Sequence, residues 1–173
     1  VFELPLTAFG DGGWYWFDAY AGAEDLTIIG AEWTADADLA RTDGTFSIAM
    51  TTMNKVDYVL DNIATVAENP DLREKLDVMY IVDQGADRLG DHPEGLAPLQ
   101  AELGEQLRII EQGNIGGSGG FSRGMYEAST NGTSTYVINC DDDIVLEPET
   151  LVRLVTFADF ATRPTLVGAH MFD

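Results

Sequence analysis

A single cysteine, Cys140, stands in a chain of 173 residues. That excludes an intramolecular disulfide framework and a Cys-rich zinc site, and it fits a reducing compartment. Basic residues are scarce as well: Lys and Arg number 9 against 30 Asp and Glu, for a formal net charge of −21. A phosphate backbone needs positive charge opposite it, so a general nucleic-acid binder is excluded. No apolar run approaches the ~20 residues of a membrane-spanning helix. The chain starts at Val1 without Met, basic n-region or apolar h-region, so no signal peptide is read. It reads as a processed or excised piece of something longer. What is abundant is apolar: hydrophobic residues make 45% and aromatics 10%, far from a disordered acidic tail. The length allows one full domain, or a part-domain with a second small piece.

The chain changes character near Asp43-Gly44. Before it, Phe2 to Phe9, Trp14-Tyr-Trp-Phe17, Leu26-Thr-Ile-Ile29 and Ala31-Glu-Trp33 are short β-branched and aromatic runs broken by Gly and Asp. They read as strands joined by tight turns, with no helical period over residues 1–42. Three or four strands cannot close a sandwich alone, so 1–42 reads as the C-terminal part of an N-terminal β-rich domain. The aromatic run Trp14 to Phe17 is expected to be buried in that sheet; the other reading is a sugar-binding face.

From Thr45 strands and helices alternate. Thr45 to Thr51 predicts a strand, and Val56, Val59, Leu60, Ile63, Val66 and Ala67 form the stripe of one amphipathic helix, ended by Asn69-Pro70. Further strands are predicted at Val78–Val82, Leu107–Ile110, Tyr136–Cys140 and, as a fifth, Thr165–Gly168. Gly85 to Pro98 reads as loop, followed by a short helix at Leu99–Leu103. Gly113 to Gly120 also reads as loop, before a helix over Phe121–Ser129. Pro148 opens a last helix at its first position. Near-continuous apolar strands alternating with helices predict an α/β fold, with a mostly parallel, Rossmann-like sheet covered on both faces. Ligands of such sheets sit at the strands' carboxyl ends. Four segments qualify: Thr52–Lys55, Asp83–Gly85, Gln112–Asn114 and Asp141–Asp143.

Asp141-Asp142-Asp143 follows Val137-Ile-Asn-Cys140 without a spacer. Three carboxylates at one strand end repel each other unless a cation neutralises them. Hard oxygen ligands at i and i+2 face one side of an extended chain and suit Mg²⁺ or Mn²⁺. The bland alternative is a solvated acidic turn ahead of the Pro148 helix. An EF-hand is excluded, since Leu146 stands where its sixth-position Gly would be. Gly116-Gly-Ser-Gly-Gly120 offers backbone N–H groups to an anion, or else is a linker. It lacks the Lys-Ser/Thr of a Walker A loop, and Ser122 replaces the third Gly of the dinucleotide fingerprint. His92 reads as a surface residue, and His170 as packing rather than a metal ligand. Cys140 reads as a small core residue.

Together these segments resemble the family 2 inverting glycosyltransferases of the GT-A fold. The likeness runs through Thr45 to Lys55, Tyr80-Ile-Val-Asp-Gln-Gly85, Asn114 to Arg123, Asp141 to Glu149 and Pro164 to Met171. Among them it looks most like the actinobacterial galactofuranosyltransferases that polymerise cell-wall galactan, in which a β-rich domain precedes the GT-A domain. The resemblance implies that residues 43–173 are the first half of a GT-A domain. It implies that Met53, Asn54 and Lys55 line the uridine and phosphate entrance. Gln84, Asn114, Gly116, Gly117 and Asp142 would contact the donor, and Asp141 and Asp143 would hold Mn²⁺ or Mg²⁺ on its diphosphate. The family usually has an aromatic residue and an Arg where this chain has Met53 and Lys55; Lys keeps the charge but loses the planar fork.

The donor implied is UDP-galactofuranose and the acceptor a lipid-linked galactan, with a catalytic base expected beyond residue 173. The resemblance also implies a cytoplasmic enzyme peripheral at the inner face of the cell membrane, homo-oligomeric at full length. Two other classes stay open. Asp141-x-Asp143-x-Val145 after an apolar strand also fits the nucleophile motif of haloacid-dehalogenase-type phosphatases, although there it follows the first strand. A non-catalytic sugar-binding or assembly module is the other.

Overall fold

The structure is a computed structural model that describes residues 2–5, 7 and 15–169. It divides into two units, Val1–Ala35 and Asp36–Asp173.

Over residues 15–35 the first unit contains no helix and no strand. The strands expected at Leu26–Ile29 and Ala31–Trp33 are therefore absent. A strand is held by the ladder of its neighbour, and no neighbour pairs with these runs among the described residues. Trp16 and Phe17, expected inside a sheet, are 76% and 60% exposed. Trp14 and the segment 8–13 lie outside the described residues.

The second unit carries the sheet. Its strands are β1 (Phe46–Thr52), β2 (Leu76–Asp83), β3 (Leu107–Glu111) and β4 (Tyr136–Asp141). All neighbours are parallel, in the order β3-β2-β1-β4. Every residue of β1 is buried, as expected of a strand with neighbours on both edges and cover on both faces. The fifth strand expected at Thr165–Gly168 does not form: that segment is irregular and exposed, an apolar run with no ladder to join.

Helices α1 (Val56–Ala67), α2 (Pro70–Lys75), α3 (Pro93–Leu103) and α5 (Pro148–Phe160) contribute to the larger core, while α4 (Gly116–Asn131) covers the opposite face. On α1 the predicted stripe packs down, with Val59, Ile63 and Val66 fully buried against Ile48, Met50 and Met79. Each such side chain contributes about 1.5–3 kcal/mol. Asn69 does not merely follow α1: its Oδ1 accepts the N–H of Leu72 at 3.1 Å, starting α2 with Pro70 in the first turn. The segment Gly85–Pro98, expected as loop, holds a 3₁₀ turn at Leu89–Asp91 and the first half of α3. Pro98 lies inside that helix.

The largest departure is α4. The glycine run expected as a loop is helical from Gly116, five residues before the predicted start. The reason is packing. Gly120, Gly124 and Ala128 lie four apart on one face, which is buried. A Cβ on Gly124 would sit 2.7 Å from that of Ala49 in β1. One on Gly120 would strike the Thr51 side chain. Small residues let the helix axis approach the strand, and the gain outweighs glycine's low helix propensity of about 1 kcal/mol each.

Candidate active site

The sheet order creates a crevice. The chain leaves β1 toward β2 and β3, then returns past β1 to lay down β4 on its other edge. The carboxyl ends of β1 and β4 therefore flank a topological switch point, where α/β sheets bind their ligands.

The four predicted segments converge there, each joined to at least one other by a measurable contact. Lys55 Nζ lies 4.0 Å from Asp143 Oδ2 across the switch point and 5.1 Å from the centre of the Tyr58 ring. Asn114 Nδ2 donates to Met53 Sδ at 3.0 Å. Asn54 takes a left-handed conformation, φ 58°, and its Oδ1 accepts the N–H groups of Ala86 (2.8 Å) and Asp87 (3.0 Å). A Cβ at Gly85 would lie 2.7 Å from Asp87 O and 2.8 Å from Asn54 N, so this clasp closes only over glycine. Gln84 is buried; its Oε1 accepts Ile115 N (2.9 Å) and Gln112 Nε2 (3.1 Å), while its Nε2 donates to Gly116 O (3.1 Å). Beneath them buried Asp83 accepts the N–H groups of Gly85 and Leu89, both at 2.9 Å.

Three of the residues expected at the donor also bind the crevice loops together. The amide oxygens of Asn54, Gln84 and Asn114 each accept a backbone N–H already, that of Asn114 from Gly116 at 2.9 Å. They brace the crevice loops against one another. The groups they leave open are the N–H groups that follow Gly116 at the start of α4, which has no side-chain cap at Ile115. A Cβ at Gly117 would meet nothing within 4 Å.

Asp141, Asp142 and Asp143 each offer a carboxylate oxygen, all within 4.8 Å of one another. Asp141 and Asp143 are exposed, whereas Asp142 is buried. Asn62, which the sequence reading passed over, holds this turn in place. Its Nδ2 donates to Asp142 O at 3.0 Å and its Oδ1 accepts Leu146 N at 3.4 Å, from inside α1. The available signal was a polar residue set among α1's apolar positions. Three carboxylate oxygens in so small a volume form a hard donor set suited to Mg²⁺ or Mn²⁺, and Lys55 already brings a positive group to their edge. Cys140, the buried residue before them, has its thiol pushed up to about 12, first by burial and then by the charge of Asp141. It is a core residue, as expected. His170 lies outside the described residues.

A four-stranded parallel α/β sheet with a carboxylate cluster at its switch point is consistent with the Rossmann-like GT-A fold expected from the sequence. Residues 47–170 match Glycosyl transferase family 2, and the chain belongs to that family. It is 36% identical over 172 residues to galactofuranosyltransferase GlfT2 of Mycolicibacterium smegmatis, and 34% identical over 171 residues to galactofuranosyltransferase GlfT2 of Mycobacterium tuberculosis. Each match covers 99% of this chain and 26% of the relative, so the chain spans about a quarter of the length of these curated relatives. The family places the aspartate cluster in a glycosyltransferase rather than in a phosphatase. Among the described residues no helix is long and apolar enough to cross a membrane.

Proposed function

We propose that this chain is the donor-binding part of a galactofuranosyltransferase that takes UDP-galactofuranose and extends a cell-wall galactan. The observation that carries the reading is the approach of Lys55 to Asp143 across the switch point, beside three convergent carboxylates, in a family 2 chain. The names of the two similar relatives supply the sugar.

In this reading Asp141 and Asp143 hold a Mn²⁺ or Mg²⁺ ion, which when bound stabilises the negative charge of the departing diphosphate. Lys55 swings from Asp143 to a phosphate oxygen as the donor enters. The open N–H groups at the start of α4 receive the same diphosphate. Met53 and Ile115, both exposed apolar side chains at the mouth, flank the uracil. Asn54, Gln84 and Asn114 keep those groups in register, so binding costs less loop ordering. The acceptor would be a lipid-linked galactan met at the inner face of the membrane by a peripheral, oligomeric full-length enzyme.

The test is nucleotide selectivity measured by calorimetry on the purified chain with Mn²⁺. UDP and UDP-galactofuranose should bind with similar strength and GDP at least tenfold more weakly. Equal affinity for UDP and GDP would remove the donor assignment.

A further inference from the structure

Every Lys and Arg except two sits within 4.0 Å of a carboxylate among the described residues. With 30 acidic residues for 9 basic ones, a cation without an anionic partner is the unusual case. The two exceptions are Arg41 and Arg163, and they line the same cavity. It has a volume of about 480 Å³ and lies at the opposite end of the sheet from the crevice, where Thr135 and Tyr136 begin β4 and α5 ends. Thr42, Thr135 and Thr165 line it as well, the Thr165 hydroxyl donating to Arg163 O at 2.8 Å.

We propose that this cavity is a second binding site, for a phosphate-bearing small molecule held by Arg41 and Arg163. Arginine is suited to this because its five N–H donors form a rigid fork that matches a phosphate's oxygens. One donor of Arg41 is engaged, giving a 2.9 Å hydrogen bond to Thr162 O. The side chain of Arg163 makes no hydrogen bond or ion pair among the described residues. Two negative features adjoin the site. The carbonyl end of α5 offsets part of Arg41's charge. The Asp159 carboxylate lies beneath, held by Gly44 N–H (3.1 Å) and the Tyr136 hydroxyl (2.9 Å) rather than by either arginine. Arg163 therefore supplies most of the attraction. The simpler reading is that Arg41 only caps α5 and Arg163 only solvates the following turn.

The experiment is a titration of the ¹⁵N-labelled chain with inorganic phosphate, at ionic strength held constant with chloride. Amide signals of Thr42, Thr135 and Thr165 should shift and saturate, with half-saturation of about 1–10 mM for a simple anion. Arg163→Gln should weaken this at least fivefold and Arg163→Lys less. Arg163 is exposed in an irregular segment, so neither change threatens the fold. Shifts confined to Asn114–Gly119 would overturn the proposal, by placing phosphate in the donor crevice alone. So would shifts that do not saturate, or an unchanged titration in Arg163→Gln. Because the readout is local and needs neither UDP nor metal, its result is independent of the donor-site assignment.

Discussion

Replacing Gly124 by Ala sets two effects of known size against each other. Alanine in place of glycine inside a helix gains about 1 kcal/mol from intrinsic propensity. At this position the new methyl would stand 2.7 Å from Ala49 Cβ and 3.3 Å from Ala49 Cα. Ordinary contact begins several tenths of an ångström further out. Ala49 is a buried residue of the central strand β1 and has no side-chain torsion by which to turn away. Either α4 lifts or β1 bows, and overpacking of this kind costs about 1–3 kcal/mol. The net expectation is a loss of about 1 kcal/mol, or roughly 3 °C in thermal midpoint for a chain of this size. Gly117→Ala is the control: its Cβ meets nothing within 4 Å, so the same substitution two turns earlier should be neutral or stabilise by about 0.5 kcal/mol. The assay is thermal unfolding followed by circular dichroism, with Ala49→Gly completing a double-mutant cycle. In the Ala49→Gly background Gly124→Ala should lose the overpacking cost and stabilise by up to about 1 kcal/mol, a coupling of about 2 kcal/mol. If Gly124→Ala stabilises the parent, or destabilises both backgrounds equally, close helix–strand approach is not why α4 carries its glycines.

Three further outcomes are expected. Asn54→Ala removes the acceptor of two backbone N–H groups and the short amide side chain that eases a non-glycine residue into φ 58°, so it should cost about 1–3 kcal/mol in urea unfolding. Asn54→Gly should cost about 1 kcal/mol less, because glycine tolerates that conformation; equal losses would mean the backbone is not strained. The His92 ring should titrate above its ordinary 6.5, raised first by its 2.7 Å hydrogen bond to Asp87. Any stability from the pair is then present below about pH 6.5 and lost as pH rises through the folded value. NMR titration should show Asp87→Asn lowering it, and an unchanged value would remove Asp87 as the cause. Cys140, with its thiol at about 12, should resist a thiol-exchange reagent at pH 8 until denaturant unfolds the chain; rapid labelling of the native protein would contradict its burial.

The strands and α1 were legible because their signals are local: apolar runs bounded by turn residues, and one clear helical stripe. Where the deciding partner is distant in sequence, the reading failed. Residues 116 to 120, four glycines and Ser118, look like a loop until β1 lies beneath them, and only the spacing of Gly120, Gly124 and Ala128 hints otherwise. Asn69-Pro70 ends α1 as expected and also starts α2, as a cap followed by a first-turn proline. The opposite error occurred at Leu26–Ile29 and Thr165–Gly168, where β-prone residues have no ladder to join. At the site, the aspartate triplet and Lys55 were visible as charges in sequence. The bracing by Asn54, Gln84 and Asn114 was not, because their partners are backbone N–H groups that every residue has.

The central claim is that UDP and a divalent ion meet at the β1–β4 switch point, and paramagnetic broadening by Mn²⁺ locates that ion directly. With substoichiometric Mn²⁺ and saturating UDP, amide signals of Asn54–Lys55, Asp141–Asp143 and Gly116–Gly117 should vanish first. Asp143→Ala should abolish that pattern while leaving the remaining spectrum, and hence the fold, unchanged. Broadening that ignores UDP, or that centres on other acidic segments such as Asp36–Asp38, would contradict the account.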